Sequence, residues 1–187
     1  MKETLYSRRS NLVVGFHGCD QSIANKIIEG KDDLIASTND YDWLGHGIYF
    51  WENNELRALQ YANDMMGRAH SSVKCPAVIG AIIDLGYCMD LTDSLYLGEL
   101  KESYNVLVET CRVTGISLPT NSTIGISEDK LLRREFDSVK GVFWEGVELY
   151  PDAGFREKNH IQICVRNPNC IKGFFLPRKL DMNYINP

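Results

Sequence analysis

Three of the four histidines lie where a predicted strand ends beside glycine or polar residues: His17, His46 and His160. An imidazole titrates near neutral pH, so it can act as a general base, a proton shuttle or a metal ligand. One such histidine would favour a structural role, but three in comparable positions favour a shared site. The fourth, His70, closes a predicted helix, where a cation interacts favourably with the helix dipole.

A metal site is one interpretation of these histidines, with Asp40 or Asp42 as further ligands. The sequence contains no His-x-His, His-x-x-x-His or Cys-x-x-Cys spacing, so each ligand would come from a distant segment. Cys19, two residues after His17, suggests a Cys–His nucleophilic pair as a second interpretation. No neighbouring residue orients the imidazole, and cysteine is commonly a buried apolar residue. We therefore expect no metal and no thiol nucleophile.

The composition is that of an ordinary globular protein. The chain has 187 residues, of which 44% are hydrophobic and 24% charged, and this length favours a single domain over residues 1–187. The net charge of −5 gives no global basic field of the kind that marks many nucleic-acid-binding proteins. Scattered lysines and arginines leave a local basic patch open.

The cysteines and the apolar segments indicate the cellular compartment in which the protein is expected. Six cysteines are spread along the chain without a dense framework, and the N-terminal MKETLYSRRSN has no apolar signal-peptide core. No window approaches the roughly 18 apolar residues of a membrane span. We expect a cytoplasmic protein with reduced thiols and no membrane partner, although a toxin exported by a dedicated machine would have the same features.

Alternating strand and helix patterns position the candidate residues in the first half of the chain. A β-branched run at 12–18 predicts a strand, followed by a short helix that Asp20 caps and Gly30 ends. GIYFW predicts a second strand, on which Tyr49 and Phe50 point to opposite faces, and we expect Phe50 to face the core. The next helix opens at a capping asparagine. The nearly continuous apolar segment 76–86 predicts a central strand, because such a strand is covered on both faces.

The second half begins with helices and ends with strands. Residues 92–115 predict a long amphipathic helix that Gly115 ends, and residues 128–139 predict a shorter helix. KGVFWEGVELY, HIQICVRN and CIKGFFLP predict three late strands. The element order therefore predicts an α+β fold.

An ordered set of motifs connects these elements: F-H-G at 16–18, G-x-Y-F at 47–50, A-L-Q-Y-A at 58–62 and H-I-Q-I-C-V at 160–165. The set resembles the ADP-ribosyltransferase superfamily, in the diphtheria-toxin and poly(ADP-ribose) polymerase branch that is named for a His-Tyr-Glu triad. The resemblance spans most of the chain. It implies two small antiparallel or mixed sheets that form an NAD cleft and are flanked by helices.

The resemblance implies a role for each matched residue. His17 would hydrogen-bond the adenosine ribose of NAD, and Gly18 would let the backbone clamp the nicotinamide carboxamide. Tyr49 would stack on the nicotinamide ring, with Gly47 admitting the ligand close to the chain. Tyr61 would cover the other ring face from the following helix.

The third triad position departs from the family pattern. The family places a glutamate at the start of a late strand, where it holds the ribose 2′-hydroxyl and assists the attacking group. Here the strand offers His160 and Gln162 on one face, with Glu157 just before it. An amide neither takes a proton nor supplies a full charge, so we expect His160 to assist Gln162 as a general base, and Glu157 is the reserve candidate.

The segment 39–46 lies where the family has a mobile loop over bound NAD. It is either a lid that reaches the ligand or a turn with an Asx cap and a buried tryptophan. Just before it, Ser37-Thr38-Asn39 resembles the Ser-Thr-Ser motif of the arginine-serine-glutamate branch, which makes Ser37 a candidate NAD-binding residue. No Glu-x-Glu follows, so the His-Tyr-Glu branch is favoured.

The reaction implied by the resemblance is substitution at the anomeric carbon of the nicotinamide ribose, through a transition state with oxocarbenium character. NAD is then a substrate, and the expected activity is mono-ADP-ribosylation of a macromolecular acceptor, either protein or nucleic acid. A bacterial or phage toxin or effector, with an antitoxin or immunity partner, would fit. The alternatives are a catalytically silent NAD or ADP-ribose binding module and an NAD glycohydrolase, in which water is the acceptor.

Overall fold

The computed structural model describes residues 12–39, 42–69, 71–117 and 136–186, and it has the predicted α+β class. Among these residues the helices are α1 (Gln21–Ile28), α2 (Glu55–Met66) and α3 (Ser94–Thr114). The strands are β1 (Leu12–Asp20), β2 (Ile48–Glu52), β3 (Pro76–Asp84), β4 (Cys88–Asp90), β5 (Ser138–Phe143), β6 (His160–Val165) and β7 (Ile171–Phe175). None of the described helices combines the length and apolar character needed to cross a membrane.

All the described strands are hydrogen-bonded into one seven-stranded sheet with the order β4-β5-β6-β2-β1-β3-β7, whereas the expectation was two small sheets. β4 and β5 are parallel, and the other neighbours are antiparallel. β1 pairs with β3 along its whole length, but it pairs with β2 only at Gly15–Glu52 and Phe16–Trp51. A narrow join therefore connects a four-stranded part of the sheet to a three-stranded part.

Local capping confirms the predicted starts of α1 and α2 and the predicted ends of α1 and α3. The predicted end of α2 at His70 is wrong, because α2 ends at Met66; His70 itself lies outside the described residues. The Asp20 carboxylate accepts hydrogen bonds from the backbone N–H groups of Ser22, Lys74 and Cys75, so it caps α1 and fastens it to the start of β3. Together with the Ser22 hydroxyl, these donors hold the Asp20 pKa well below its usual value. Gly30 follows α1 with a φ of 65°, a left-handed conformation that favours glycine.

The other two helices show the same signals. Asn54 caps α2 by accepting from the Arg57 backbone N–H at 2.9 Å. Gly115 follows α3 with a φ of 71°, as expected of a residue just past a helix end. The local stop and start signals in the sequence are therefore sufficient to define these helix ends.

The main core lies between α1 and one face of the sheet. Phe50, Ile79, Ile83 and Ile163 are completely buried there, and this confirms the expectation that Phe50 faces the core. A second apolar cluster surrounds β4, β5 and α3, with Leu44, Met89, Tyr96, Phe136, Val139 and Cys164 as its buried members. On β6 the buried residues alternate between the clusters, since Ile163 and Val165 belong to the first and Cys164 to the second, so the two clusters cover opposite faces of this strand.

The sequence patterns and the structure differ at the start of β5 and at β4. Most of the helix expected over 128–139 lies outside the described residues, but its last two positions, 138 and 139, belong to β5. β-branched Val139 is completely buried opposite Cys164 on β6, so strand pairing overrides the helical pattern there. β4 was not predicted, because three residues are too few to show a periodic pattern.

Candidate functional site

A cleft with a volume of about 450 Å³ lies over the strands β2, β5 and β6 and the loops next to them. This volume is within the range of roughly 300–1,000 Å³ that is typical of small-molecule sites. Of the residues that the resemblance assigns to NAD binding or catalysis, all except Gly18 and the reserve candidate Glu157 line it. The lining residues are His17, Ile35, Ser37, Asn39, Asp42, Trp43, Gly47, Tyr49, Trp51, Tyr61, Phe143, Trp144, Glu145, His160 and Gln162.

The strand register explains why residues distant in sequence meet here. Directly paired residues on neighbouring strands point to the same face, and successive residues on one strand alternate. Trp51 pairs with Gln162, and His160 pairs with Phe143. Because Tyr49 is two residues from Trp51, all five side chains fall on the cleft face.

His17 reaches the cleft from β1, one residue beyond Phe16, where the β1–β2 pairing ends. Its Nδ1–H donates to the Tyr49 carbonyl oxygen at 2.8 Å, so a side chain takes the place of a strand-to-strand backbone bond. In the neutral imidazole, Nε2 then remains as an acceptor. Burial lowers the pKa of His17, which keeps the ring neutral near pH 7.

Hydrogen bonds hold Tyr49 at its backbone carbonyl and at its side-chain hydroxyl. Its backbone carbonyl accepts from His17, and its hydroxyl donates to the Gly45 carbonyl oxygen at 2.7 Å and accepts from the Leu44 N–H at 3.2 Å. Burial raises the Tyr49 pKa, so the phenol stays neutral. The phenol ring is therefore a fixed part of the cleft wall and cannot swing freely.

The two predicted glycines are explained by packing within the protein. A Cβ on Gly18 would collide with the Ala58 carbonyl oxygen, so Gly18 lets α2 pack against β1, and it does not line the cleft. A Cβ on Gly47 would lie 2.5 Å from the Cys164 sulfur and 2.6 Å from the Val165 carbonyl oxygen. Gly47 lines the cleft, but the close approach that requires glycine is to β6.

The described part of the segment 39–46 has hydrogen bonds typical of a turn, but the buried tryptophan expected of that interpretation is wrong, because Trp43 is 54% exposed; the lid stays a prediction. Buried Asp42 accepts from the Asn39 N–H at 2.9 Å, and the Gly45 N–H donates to the Asp42 carbonyl oxygen. Trp43 is half-exposed and packs on the Phe143 ring with centroids 5.4 Å apart. His46 is exposed outside the lining, so the three histidines do not form one site; Asp40 lies outside the described residues.

Two further predicted residues line the cleft from opposite sides. Ser37 bridges to Gly47 through two backbone hydrogen bonds of 2.8 and 3.1 Å, so the loop 29–47 closes back on itself at the cleft. Tyr61 on α2 packs against the Trp51 ring with centroids 4.9 Å apart. Tyr49 and Tyr61 thus contribute two aromatic groups from different elements.

His160 lies on the cleft face of β6 with one nitrogen already bonded. Its Nδ1–H donates to the Lys158 carbonyl oxygen at 2.6 Å, so Nε2 is the acceptor in the neutral ring. The ring stacks on Phe143 at 5.7 Å. Burial, with a smaller effect from the Arg57 charge, lowers the His160 pKa, and a neutral imidazole is the form that can accept a proton.

Glu145 is the lining residue that sequence reasoning missed. It lies two residues past the end of β5, and its Oε2 is 3.8 Å from His160 Nδ1. The reserve candidate, Glu157, is exposed and does not line the cleft; its backbone N–H donates to Val147. In the sequence Glu145 lies in the middle of the predicted strand KGVFWEGVELY, where no local signal marks it. The structure ends that strand at Phe143, so Glu145 falls in the loop that lines the cleft.

Arg57 on α2 forms an ion pair with Glu145. Its guanidinium is 5% exposed, donates to Glu145 Oε2 and lies 5.5 Å from the Trp51 ring centroid. Within the described residues, Arg57 Nε and Nη1 and Trp51 Nε1 are buried without hydrogen-bond partners. Unpaired buried donors are uncommon and costly, and this group lies directly beside the cleft.

A metal site and a Cys–His pair were the two interpretations that the sequence disfavoured. Among the described residues, no group of three or more His, Cys, Asp or Glu side chains is arranged to hold a metal ion. Cys19 is buried outside the lining, and burial raises its pKa to about 11, which opposes the thiolate form. All six cysteines are free thiols.

Comparisons with known proteins give one relative. No protein-family model and no solved structure matches the chain. A protein of Methanocaldococcus jannaschii, itself described as uncharacterized, is 28% identical over 184 residues, which cover 84% of this chain and 83% of that protein. The similarity thus extends over most of both chains, and the description of the relative assigns no activity.

Proposed function

We propose that the protein binds NAD in the cleft and transfers one ADP-ribose to a macromolecular acceptor. The observation that supports this most is the meeting of His17, Tyr49 and Gln162 around one cleft, although they are far apart in sequence. These residues carry the motif resemblance. They meet beside the narrow β1–β2 join, which is also the feature that best fits an ADP-ribosyltransferase-like fold divided by an NAD cleft.

In the proposed binding mode, His17 Nε2 accepts from a ribose hydroxyl and the Tyr49 ring stacks on nicotinamide. The hydrogen bonds at both ends of Tyr49 fix the ring before the ligand arrives. Such preorganisation lowers the entropy lost on binding. Gln162 hydrogen-bonds the nicotinamide ribose, and Tyr61 closes the far side.

In the proposed reaction, the bond between the ribose C1′ and the nicotinamide nitrogen breaks, and nicotinamide leaves with the electron pair. A nucleophilic nitrogen or oxygen of the acceptor forms the new bond to C1′. Glu145 supplies the negative potential that stabilises the oxocarbenium character, a role for which glycosidases also use carboxylates. His160 Nε2 takes the proton that the acceptor loses and passes it to solvent.

The presence of Glu145 favours an active site over a silent binding module. The carboxylate that β6 lacks is supplied from the end of β5, and Arg57 orients it. Gln162 at the expected glutamate position favours transfer of a single unit over chain formation. Free thiols throughout the chain fit a reducing compartment, so we propose a cytoplasmic acceptor.

The test is incubation with NAD carrying a label in its adenylate half, in the presence of cell extract. A transferase labels macromolecules and releases nicotinamide in equal amounts. A glycohydrolase releases nicotinamide without labelling, and a silent module shows only saturable binding. Either of these two results, or the absence of NAD binding at millimolar concentration, would contradict the proposal.

A further inference from the structure

A long hairpin-like loop begins at the edge of the cleft. Residues 144–159, here called the arm, connect β5 to β6 beyond the last paired residues of the sheet. Three backbone hydrogen bonds hold it together: Lys158 N–H to Glu145, Glu157 N–H to Val147, and Leu149 N–H to Phe155. Its two sides are therefore hydrogen-bonded to each other, and Glu145 and Lys158 pair with residues of α2.

The arm carries several exposed apolar side chains. Five large apolar side chains are more than half exposed along it: Trp144, Val147, Leu149, Tyr150 and Phe155. The bridge between Glu148 and Arg156 places those two side chains on one face, so Val147, Leu149 and Phe155 fall on the other. Contiguous exposed apolar surface of this kind marks an interaction site.

The charges on the arm are predominantly acidic. Glu148, Asp152 and Glu157 are exposed there, against Arg156. The other cation of the arm, Lys158, pairs with Asp64 on α2 at 3.1 Å, which neutralises it. The whole chain also carries a net charge of −5. An acidic and aromatic surface attracts cationic side chains through carboxylates and ring faces, and it repels a phosphate backbone.

We propose that the arm docks a basic segment of a protein acceptor, rich in arginine or lysine, and delivers it to the cleft. The arm starts at Trp144 and Glu145, both of which line the cleft, so a segment bound along it passes the mouth. This inference rests on the proposed function, because only a transferase has an acceptor. The docking itself requires only the exposed rings and carboxylates.

The test measures binding without NAD, by fluorescence anisotropy of a synthetic peptide of alternating arginine and glycine. We expect saturable binding that weakens as salt rises, since exposed charges are screened. The same peptide with glutamate in place of arginine, and a single-stranded RNA oligonucleotide, should not bind. Binding of the acidic peptide or the RNA in preference to the basic peptide would overturn the proposal.

Matched variants locate the binding surface. Leu149→Ser removes an apolar side chain that is 58% exposed on the arm, and Leu180→Ser removes one that is 59% exposed outside it. A second variant reverses the charge of Glu148 and Glu157 by changing both to lysine. Its control is Glu102→Lys on α3. We expect the arm variants to bind the basic peptide at least about tenfold more weakly, a loss of about 1.4 kcal/mol, and the controls to bind it normally. Equal effects of arm and control variants would overturn the assignment to the arm.

A separate measurement of nicotinamide release distinguishes the two proposals. Basic-peptide binding without any NAD turnover would contradict the proposed function and leave the docking surface supported. Turnover with transfer to RNA, or to the acidic peptide, would support NAD chemistry and overturn the docking proposal. Self-association through the arm, seen by sedimentation and abolished by Leu149→Ser, would also overturn it, because a second copy would then be the occupant.

Discussion

Glu145 and His160 have different roles in the proposed reaction because their surroundings differ. Glu145 is 46% exposed and forms an ion pair with Arg57, so we assign it the electrostatic role. His160 is buried and has a lowered pKa, so it stays neutral and contributes a lone pair. Two titratable groups with opposite environments are typical of sites that separate electrostatic from proton-transfer roles.

Glu145→Gln tests the electrostatic role. The amide keeps an oxygen that can accept from Arg57 but loses the charge, so the rate of ADP-ribose transfer should fall about 10²–10³-fold, as when a preorganised electrostatic group is removed. NAD affinity should change little, whereas the thermal midpoint should fall, because buried Arg57 loses its charge partner. Glu55→Gln, at an exposed position on α2, is the control, and an unchanged transfer rate in Glu145→Gln would show that the carboxylate is not used.

The lowered pKa of His160 predicts the acid side of the pH–rate profile. A general base works only when deprotonated, so kcat/KM should fall as the pH drops through the His160 pKa, which lies below the ordinary value of 6.5. His160→Gln should lower the rate by a factor within about 10²–10⁴ and remove this acid limb. The measurement is nicotinamide release across pH 5–8, and an acid limb that persists in the variant would assign the base to another group.

Among the secondary-structure elements, α2 contributes most to the cleft wall outside the sheet. It carries Tyr61 and Arg57, and it lies against β1 because Gly18 leaves room for the Ala58 carbonyl. The buried small residues Ala58 and Ala62 extend the same close approach. The distance between helix and strand therefore sets where Tyr61 and Arg57 meet Trp51.

Gly18→Ala tests this packing. The new methyl group cannot fit against backbone, so α2 must move, and overpacking of this kind costs about 1–3 kcal/mol of unfolding free energy. Gly98→Ala on α3 is the matched control, since nothing lies within 4 Å of its added Cβ. That change should stabilise by about 0.5–1 kcal/mol, as alanine does in a helix interior. Urea unfolding of both variants gives the comparison, and equal stabilities would contradict the packing argument.

For the molecule as a whole, the cleft gathers the aromatic residues that the sequence shows as separate clusters. The chain has three tryptophans, and all of them, Trp43, Trp51 and Trp144, line the cleft from a loop, a strand and the arm. Their indoles surround the space that the proposed ligand fills. Intrinsic tryptophan fluorescence should therefore report occupancy of the cleft.

NAD should change this fluorescence saturably and also raise the melting temperature. At a hundredfold excess over Kd, a ligand that binds only the native state stabilises it by about 2.7 kcal/mol. Tyr49→Ala should weaken NAD binding by about 1–3 kcal/mol, if base–aromatic stacking is a guide. Tyr104→Ala, on α3 away from the cleft, is the control. NAD binding that leaves the emission unchanged would place the ligand elsewhere.

Much of the architecture was predictable because its signals are local. Capping by Asp20 and Asn54, the glycine after α1 and the apolar run of β3 each act within a few residues. Alternation along β2 correctly separated Tyr49, on the cleft wall, from Phe50 in the core. The pattern at 138–139 failed because a helical periodicity and a short buried strand overlap there.

The sequence by itself determined the α+β class, most element boundaries and the group of His17, Tyr49, Tyr61, His160 and Gln162 as candidates. Only the tertiary structure decided that Glu145 joins them, that Gly18 serves helix packing and that the strands form one sheet with a narrow join. Arg57 and Glu145 are 88 residues apart, and their meeting depends on which strands are neighbours and in what register. Local propensity does not determine which strands pair or in what register, because the pairing depends on how the whole sheet is buried.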